Sequence, residues 1–415
     1  MSLLPTLVVF VATYVLIAFR RLSVLPVGRP AGALAGACAM VGLASLDPRW
    51  GIAPKEAFAA VEPNTIGLLL GMMLITAALA EAGFFEIAAG WLVARRPSPV
   101  GLLYGVTIGS GLLSAVLVND PVCVLLAPVV DATARRARLQ RVPYLLALAM
   151  GANAGSAMTL AGNPQNMLVA HLSGIPYRSY LVHAGPAGLA ALFVSAAVLH
   201  LLFRKSLAST NDAPPSVPRP AASRRDLRLA VAIVLAVSIA FLAGANLAFT
   251  ALTGAAALML VRARDPGALF SRVSWTVLVF FGALFIVAAA FQRTGLVEAA
   301  LDATRPYLPQ DPGASIAALS AILTVGCQVV SNVPFILLAE PWIKTLPDPT
   351  LAWTVTAVAS TLAGNLTLLG SVANIIVIET AGAEEEIGFW TYLRAGLPVT
   401  IASMIAAIGL LLLMR

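Results

Sequence analysis

ANAGSAMTLAGNPQNMLVA, residues 152–170, is the stretch on which the reading of this chain turns. It lies inside a long apolar run, yet it carries Asn153, Ser156, Thr159, Asn163, Gln165 and Asn166. Pro164 has no N–H to donate and disfavours the helical conformation at Asn163. Gly155 and Gly162 loosen the helix on either side. In hydrocarbon every unsatisfied backbone group is expensive, so a broken helix persists only where it lines a cavity or is buried in protein. Two readings fit: a kinked helix whose amides hold its neighbours together, or a half-helix break that binds a solute.

The surrounding composition names the solvent. The chain has 415 residues, 60% hydrophobic and 11% charged, and a mean hydropathy of +0.91. Soluble domains average about 25% charged residues. The chain therefore reads as an all-α polytopic membrane protein, multi-pass in the cell inner (plasma) membrane, with the lipid bilayer around it. The net charge of +7 reflects basic cytoplasmic loops and no nucleic-acid partner. Cys38, Cys123 and Cys327 lie in apolar runs, with neither paired metal spacing nor a disulfide framework. The first apolar run, 3–19, is followed rather than preceded by Arg20 and Arg21, so it reads as a first span with its N-terminus outside.

Further spans are expected at 31–46, 65–80 and 184–203, with an amphipathic stretch at 81–96. Residues 100–130 are too long for one span of about 20 residues and too short for two, and they contain Asn119-Asp120-Pro121. A re-entrant hairpin, about 98–131, fits them. The broken span, about 143–172, follows. Residues 206–226, rich in Pro, Ser and Ala, read as a cytoplasmic linker. Then the order recurs: spans at 227–243, 247–261 and 275–291, an amphipathic stretch at 292–305, and a hairpin, about 313–343, with Ser331-Asn332-Val333-Pro334 at its tip. A second broken span, about 352–380, and a last span at 397–414 close the chain.

The halves, 1–205 and 227–415, are repeats. Thr159, Gly162 and Asn166 recur 208 positions later as Thr367, Gly370 and Asn374, and Gly83 falls opposite Gly295. Each half holds about five full spans, an odd number, plus a hairpin. The second half then enters with opposite orientation, an inverted-topology repeat. Most Lys and Arg fall on one side in this arrangement, including Arg95, Arg96, Arg135, Arg136, Arg138, Arg141, Arg219 and Arg264.

Inverted repeats with discontinuous helices place a substrate and its coupling ions near the bilayer midplane. Half-helix N-termini favour anions, and freed carbonyls suit Na⁺ or H⁺. The candidate substrate- or ion-binding residues are Asn119, Asp120, Thr159, Gly162, Asn163, Gln165, Asn166, Ser331, Asn332, Thr367, Gly370, Ser371 and Asn374. Na⁺ is placed near Asn119, Asn163, Asn332 or Asn374; no cofactor beyond a coupling H⁺ or Na⁺, no resident metal and no catalytic residue is expected. Replacing Asn166 or Asn374 by alanine is expected to abolish transport with little loss of folded protein.

At these breaks the chain resembles the ion transporter superfamily. That group includes arsenite-efflux permeases, silicon-efflux transporters, citrate-transporter-like metal symporters, divalent anion symporters and one class of Na⁺/H⁺ antiporters. Gly162-Asn163-Pro164-Gln165-Asn166 is most similar to the arsenite and silicon-efflux branch. The tips, Val118-Asn119-Asp120 and Ser331-Asn332-Val333, lack the final Thr of the family's Ser-Asn-Thr-type tips. The resemblance covers nearly the whole chain. It implies an elevator-like or rocking motion of the hairpins and broken helices against a scaffold, in a homodimer.

Single residues keep two readings. Asp120 is a coupling carboxylate, since a charge inside a membrane segment is functional by default, or a cap on the second hairpin arm. Asn119 and Asn332 are ligands or interhelical glue. His171 and Glu379, equivalent in the repeat, carry protons or snorkel to the interface. Cys123 and Cys327 are thiol ligands or small apolar fillers, and residues 384–386 read as a solvated loop. No Lys or Arg sits at any break. The reading is a secondary active transporter of a small inorganic or organic oxyanion, or its neutral hydroxide form, coupled to H⁺ or Na⁺. Efflux of an arsenite-like or silicic-acid-like solute is preferred; sodium-coupled di- or tricarboxylate uptake and Na⁺/H⁺ antiport are the alternatives. Zinc-protease, serine-nucleophile and P-loop motifs are absent, which sets aside an intramembrane enzyme and an ATP-driven pump.

The topology is tested by single-cysteine labelling in a background with Cys38, Cys123 and Cys327 replaced. Residues 210–220 are expected to react only from the cytoplasmic side; reaction with an impermeant reagent on intact cells overturns the inverted orientation.

Overall fold

The structure, a computed structural model, describes residues 3–18, 29–94, 98–208, 224–262, 265–304, 309 and 311–414. Arg20, Arg21, Arg95, Arg96, Arg219, Arg264 and the middle of the 206–226 linker lie outside them. The described residues hold twenty α-helices and no strand. The first half runs α1 (Leu4–Ala18), α2 (Arg29–Leu46), α3 (Pro54–Ala60), α4 (Pro63–Glu81), α5 (Phe84–Ala94), α6 (Pro99–Val116), α7 (Asn119–Arg136), α8 (Val142–Ser156), α9 (Pro164–Ser173) and α10 (Tyr177–Leu207). The second runs α11 (Arg224–Leu242), α12 (Leu247–Arg262), α13 (Gly267–Phe270), α14 (Trp275–Gln292), α15 (Leu296–Thr304), α16 (Pro312–Val330), α17 (Asn332–Ile343), α18 (Pro349–Ala363), α19 (Val372–Thr380) and α20 (Phe389–Leu413). The element order of the first half recurs in the second.

Local sequence sets the starts. Pro at the first helical position has no N–H to leave unpaired, and it opens α3, α4, α6, α9, α16 and α18. Ser98 and Asp311, at matching places before α6 and α16, each cap the backbone three residues on, at 3.1 and 2.9 Å. Among the described residues six helices are long and apolar enough to cross a membrane: α4, α6, α10, α14, α16 and α20. They fall into three pairs by position in the two halves. α3 and α13 sit in connections that the sequence reading left as loop, and α10 and α20 run well beyond their expected spans through Pro186 and Pro398.

Packing follows the same pairing. α4 lies along α12 and α14 along α2; α10 lies along α20. α6 packs along α8 and α16 along α18. The α6–α8 contact is backbone to backbone: a Cβ on Gly155 would stand 2.1 Å from the carbonyl oxygen of Gly111, so no larger residue fits. The ends of α4 and α14 lie opposed to each other. Arg272, before α14, reaches Glu81 at the end of α4 at 3.8 Å, and Arg293, after α14, pairs with Glu56 ahead of α4.

The same holds for the broken helices, through Arg141. This residue precedes α8 and reaches the turn after α19. It donates to Asp131 at 3.1 Å, to both Glu386 oxygens at 2.5 and 2.8 Å, and to the carbonyls of Ala381 and Gly382 at 3.0 Å each. Residues 384–386 are thus anchored at Glu386 rather than simply solvated. The Arg141 hydrogen bond holds the Glu386 carboxyl below its usual range. A depressed carboxyl contributes stability above its unfolded pKa and loses it as pH falls through the folded one. Arg141→Ala is expected to cost about 1–3 kcal/mol, read as a lower Tm in detergent, with Arg141→Lys recovering only part because an ammonium cannot fork to five acceptor atoms. The gap between wild type and Arg141→Ala is expected to shrink as pH is lowered to about 4 and below.

Candidate functional site

α8 stops at Ser156 and α9 starts at Pro164, so the turn between them frees carbonyls that an intact helix would bond. Asn166 takes them up. Its Nδ2 donates to the carbonyls of Ser156 (3.1 Å) and Thr159 (2.9 Å) and to the Tyr180 hydroxyl (3.3 Å). Tyr180 passes a bond on to the Ala157 carbonyl at 2.8 Å. Asn163 caps α9, its Oδ1 accepting from the Asn166 N–H at 2.8 Å. Gly162 is held by close approach: a Cβ there would meet the Ser156 carbonyl at 2.3 Å. The hairpin tip is stitched to this break, since the Asn119 N–H donates to the Gly162 carbonyl at 3.0 Å and the Thr159 hydroxyl to the Ala115 carbonyl at 2.6 Å.

The second break repeats the arrangement. Asn374 Nδ2 donates to the carbonyls of Gly364 (2.7 Å) and Thr367 (3.1 Å), the positions equivalent to Ser156 and Thr159. The Thr367 hydroxyl donates to Gln328 Oε1 at 2.7 Å, a side chain standing where the first half uses the Ala115 carbonyl.

The breaks are then bonded across to each other. Asn153, in α8, donates to Asn374 Oδ1 (3.0 Å) and Asn365 Oδ1 (2.9 Å), and its own Oδ1 accepts from Ser371 Oγ and Asn119 Nδ2, both at 3.1 Å. Thr361, its equivalent in α18, donates to Asn166 Oδ1 at 3.1 Å and accepts from Asn163 Nδ2 at 3.0 Å and Gln165 Nε2 at 3.3 Å. The first arm of each broken span thus secures the other half's break.

In front of this frame is a cleft with about 520 Å³ of empty space, its mouth included. Four helices begin at it: α7 with Asn119 and Asp120, α17 with Asn332 and Val333, α9 with Pro164 and Gln165, and α19 with Ser371 and Val372. Val277, Phe280 and Phe281 of α14 form the opposite wall. The side chains at two of these helix starts bring unpaired acceptors. Asn119 Oδ1 and Asn332 Oδ1 are buried with no partner. Asp120 is 6% exposed and has no ion-pair partner among the described residues. No Lys, Arg or His lines the cleft. Ser331, at the second tip, holds φ 74°, a region that favours glycine and that clusters at functional sites.

Of the residues read from sequence, Asn119, Asp120, Gln165, Ser331, Asn332, Gly370 and Ser371 line the cleft. Thr159, Gly162, Asn163, Asn166, Thr367 and Asn374 lie behind it in the frame, and so two of the positions considered for Na⁺, Asn163 and Asn374, do not face it. His171 pairs with Glu62 at 3.3 Å away from the cleft. Glu379 lies in the last turn of α19, and Cys123 and Cys327 are buried outside the lining. Sequence reasoning missed the roles of Thr361, Asn365, Gln328 and Tyr180, and the wall of Phe280 and Phe281. Among the described residues no cluster of His, Cys, Asp and Glu stands ready for a metal ion.

Residues 14–363 match the family model described as citrate transporter. The silicon efflux transporter LSI3 of Oryza sativa subsp. japonica is 30% identical, over 97% of this chain and 96% of its own. A Dictyostelium discoideum transporter named arsB is 26% identical, over 98% of this chain and 92% of its own. The crystal structure of the YdaH transporter of Alcanivorax borkumensis shares the fold, with a TM-score of 0.56 and 15% identity over 98% of this chain and 97% of that one.

The frame changes what is expected of its amides. Asn166→Ala orphans the Ser156 and Thr159 carbonyls and the Thr361 hydroxyl in buried surroundings. At about 1–3 kcal/mol for each unpaired group, it is expected to lower folded yield and Tm as well as transport, and Asn374→Ala likewise. Gln165→Ala, at the cleft, is expected to lower transport with Tm nearly unchanged. Fluorescence-detected size exclusion and thermal scans read the split.

Proposed function

The chain belongs to the citrate transporter family of the ion transporter superfamily and is a multi-pass membrane transporter, and we propose that it moves a small weak acid, as its neutral hydroxide or its oxyanion, by ion-coupled secondary active transport. The observation that carries this is the cleft's chemistry. Four helix N-termini offer amide donors and positive dipole ends, while Asn119 Oδ1, Asn332 Oδ1 and Asp120 offer acceptors only. A solute bearing several hydroxyls on one centre both donates and accepts, so it uses both sets. Silicic acid and arsenous acid have that form. The names of the silicon efflux and arsB relatives support this substrate class and outward transport.

Sodium-coupled uptake of a di- or tricarboxylate is the second reading, and the family description favours it. Against it, such an anion would meet the Asp120 charge with no cationic side chain nearby. In both readings the halves are inverted repeats, supported by the opposed directions of α4 and α14. The coupling H⁺ or Na⁺ is taken at Asp120 and the two orphan amide oxygens. The protein works in the plasma membrane as a homodimer, and the crossed frame moves as one body.

Asp120→Asn keeps the shape and removes the charge. Reconstituted with silicate or arsenite and an imposed pH or Na⁺ gradient, it is expected to keep downhill counterflow and lose gradient-driven accumulation. Survival of both fluxes makes Asp120 a helix cap and sinks the coupling role.

A further inference from the structure

The two halves are equivalent in sequence but not in how they close. Gly83 stands opposite Gly295, so Thr65, Leu68 and Leu69 of α4 are the counterparts of Val277, Phe280 and Phe281 of α14. The α14 residues line the cleft. Their α4 counterparts are buried, at 2%, 2% and 0% exposure, and α4 packs against α9. The matching place between α14 and α19 is open, with Val277 and Val372 on the cleft walls. Thr65 stands at the rim of the α4–α9 contact, its N–H donating to the Glu62 carboxylate.

The rim of this seam carries a chemical catch. Glu62 caps α4: it accepts from the Asn64 N–H and Nδ2, each at 2.9 Å, and from the Thr65 N–H. His171, in the last turn of α9, brings Nδ1 within 3.3 Å of the same carboxylate. The counterpart of Glu62 is Ser274, which cannot form an ion pair, so the catch belongs to one half only. We propose that Thr65, Leu68 and Leu69 form the outward-facing wall of the solute path, sealed in this structure by the Glu62–His171 pair. The proposal rests on the inverted orientation given above.

The Glu62–His171 pair joins the start of α4 to the last turn of α9, so its loss frees the rim of the seam. Other charged groups on the elements packed around α9 are otherwise engaged. Glu340 and Lys344, at the end of α17, pair with each other at 2.6 Å. Asp348 caps α18 through the Leu351 N–H at 3.0 Å. On α4 the remaining carboxylate, Glu81, is bound to Arg262 at the far end, at 2.9 Å. Arg178 is in the first turn of the next helix, α10.

The test is labelling of single cysteines in full-length protein, reconstituted with all native cysteines replaced, by an impermeant methanethiosulfonate added from one side. Thr65→Cys is expected to react only from outside, and roughly fivefold faster after His171→Gln, the size of change that loss of a partly exposed pair gives. Val277→Cys is expected to react only from the cytoplasmic side. Leu69→Cys repeats the measurement should Thr65→Cys not fold. Outside labelling of Thr65→Cys and Leu69→Cys that is absent, or indifferent to His171→Gln, overturns the proposal. Lys55→Cys, on the exposed surface ahead of α4, separates the two premises: its labelling from the cytoplasmic side means that the orientation itself is wrong.

Discussion

The fold depends on how two interrupted helices satisfy their backbone without water. A break in an apolar region frees carbonyls that cost more than a folded chain can spare. Asn166 and Asn374 answer this in the same way: the amide nitrogen takes two carbonyls of its own break, and the amide oxygen takes a donor from the other half. Neither break is complete alone. The freed C-terminal carbonyls are consumed inside the frame, which leaves the N-termini of α9 and α19 as the ends that face the cleft. Chemistry at the cleft is therefore a by-product of where the orphan carbonyls are hidden.

Within that frame the halves keep their contacts while some residues change. Thr159 and Thr367 both bond to the preceding hairpin arm, one through a backbone carbonyl and the other through Gln328. The contact is kept while the residue changes. At the tips, by contrast, Asp120 stands opposite Val333, and at the caps Asn163 stands opposite Ser371. The first half supplies the charge, and the second a strained tip at Ser331.

Sequence alone exposed the helix breaks because each leaves a mark at fixed spacing: Gly162 with Pro164, Asn119 with Pro121, and recurrence 208 positions on. What it did not expose was direction. Gln165 and Asn166 are adjacent amides, yet one lines the cleft and the other is buried behind it, because the first turn of a helix points successive residues about 100° apart. Asn153 and Thr361 also obey the offset of the repeat, so the crossed bonds had a signal, but Thr for Asn is not a visible match. Phe280 and Phe281 were illegible: an apolar residue in an apolar span says nothing about which neighbour it faces. Arg141 was counted for its side of the membrane, and its partner Glu386 lies in the other half of the chain.

The charge balance of the cleft limits what it can hold. Each helix N-terminus is equivalent to about half a positive charge, so four of them bring a nominal +2 against one carboxylate. Dipole ends, unlike arginine, cannot follow a ligand or fork around it. They favour a solute that fits close to fixed amides, and the Phe280 and Phe281 wall keeps that solute small. With Asp120 ionised, a neutral hydroxide gains hydrogen bonds to the acceptors and meets little repulsion. With Asp120 neutralised by a proton or a bound cation, the same cleft becomes more favourable to an anion. A single charge placed at one tip therefore makes solute binding depend on the occupancy of Asp120, and that thermodynamic link is what ion coupling in the proposed transporter requires.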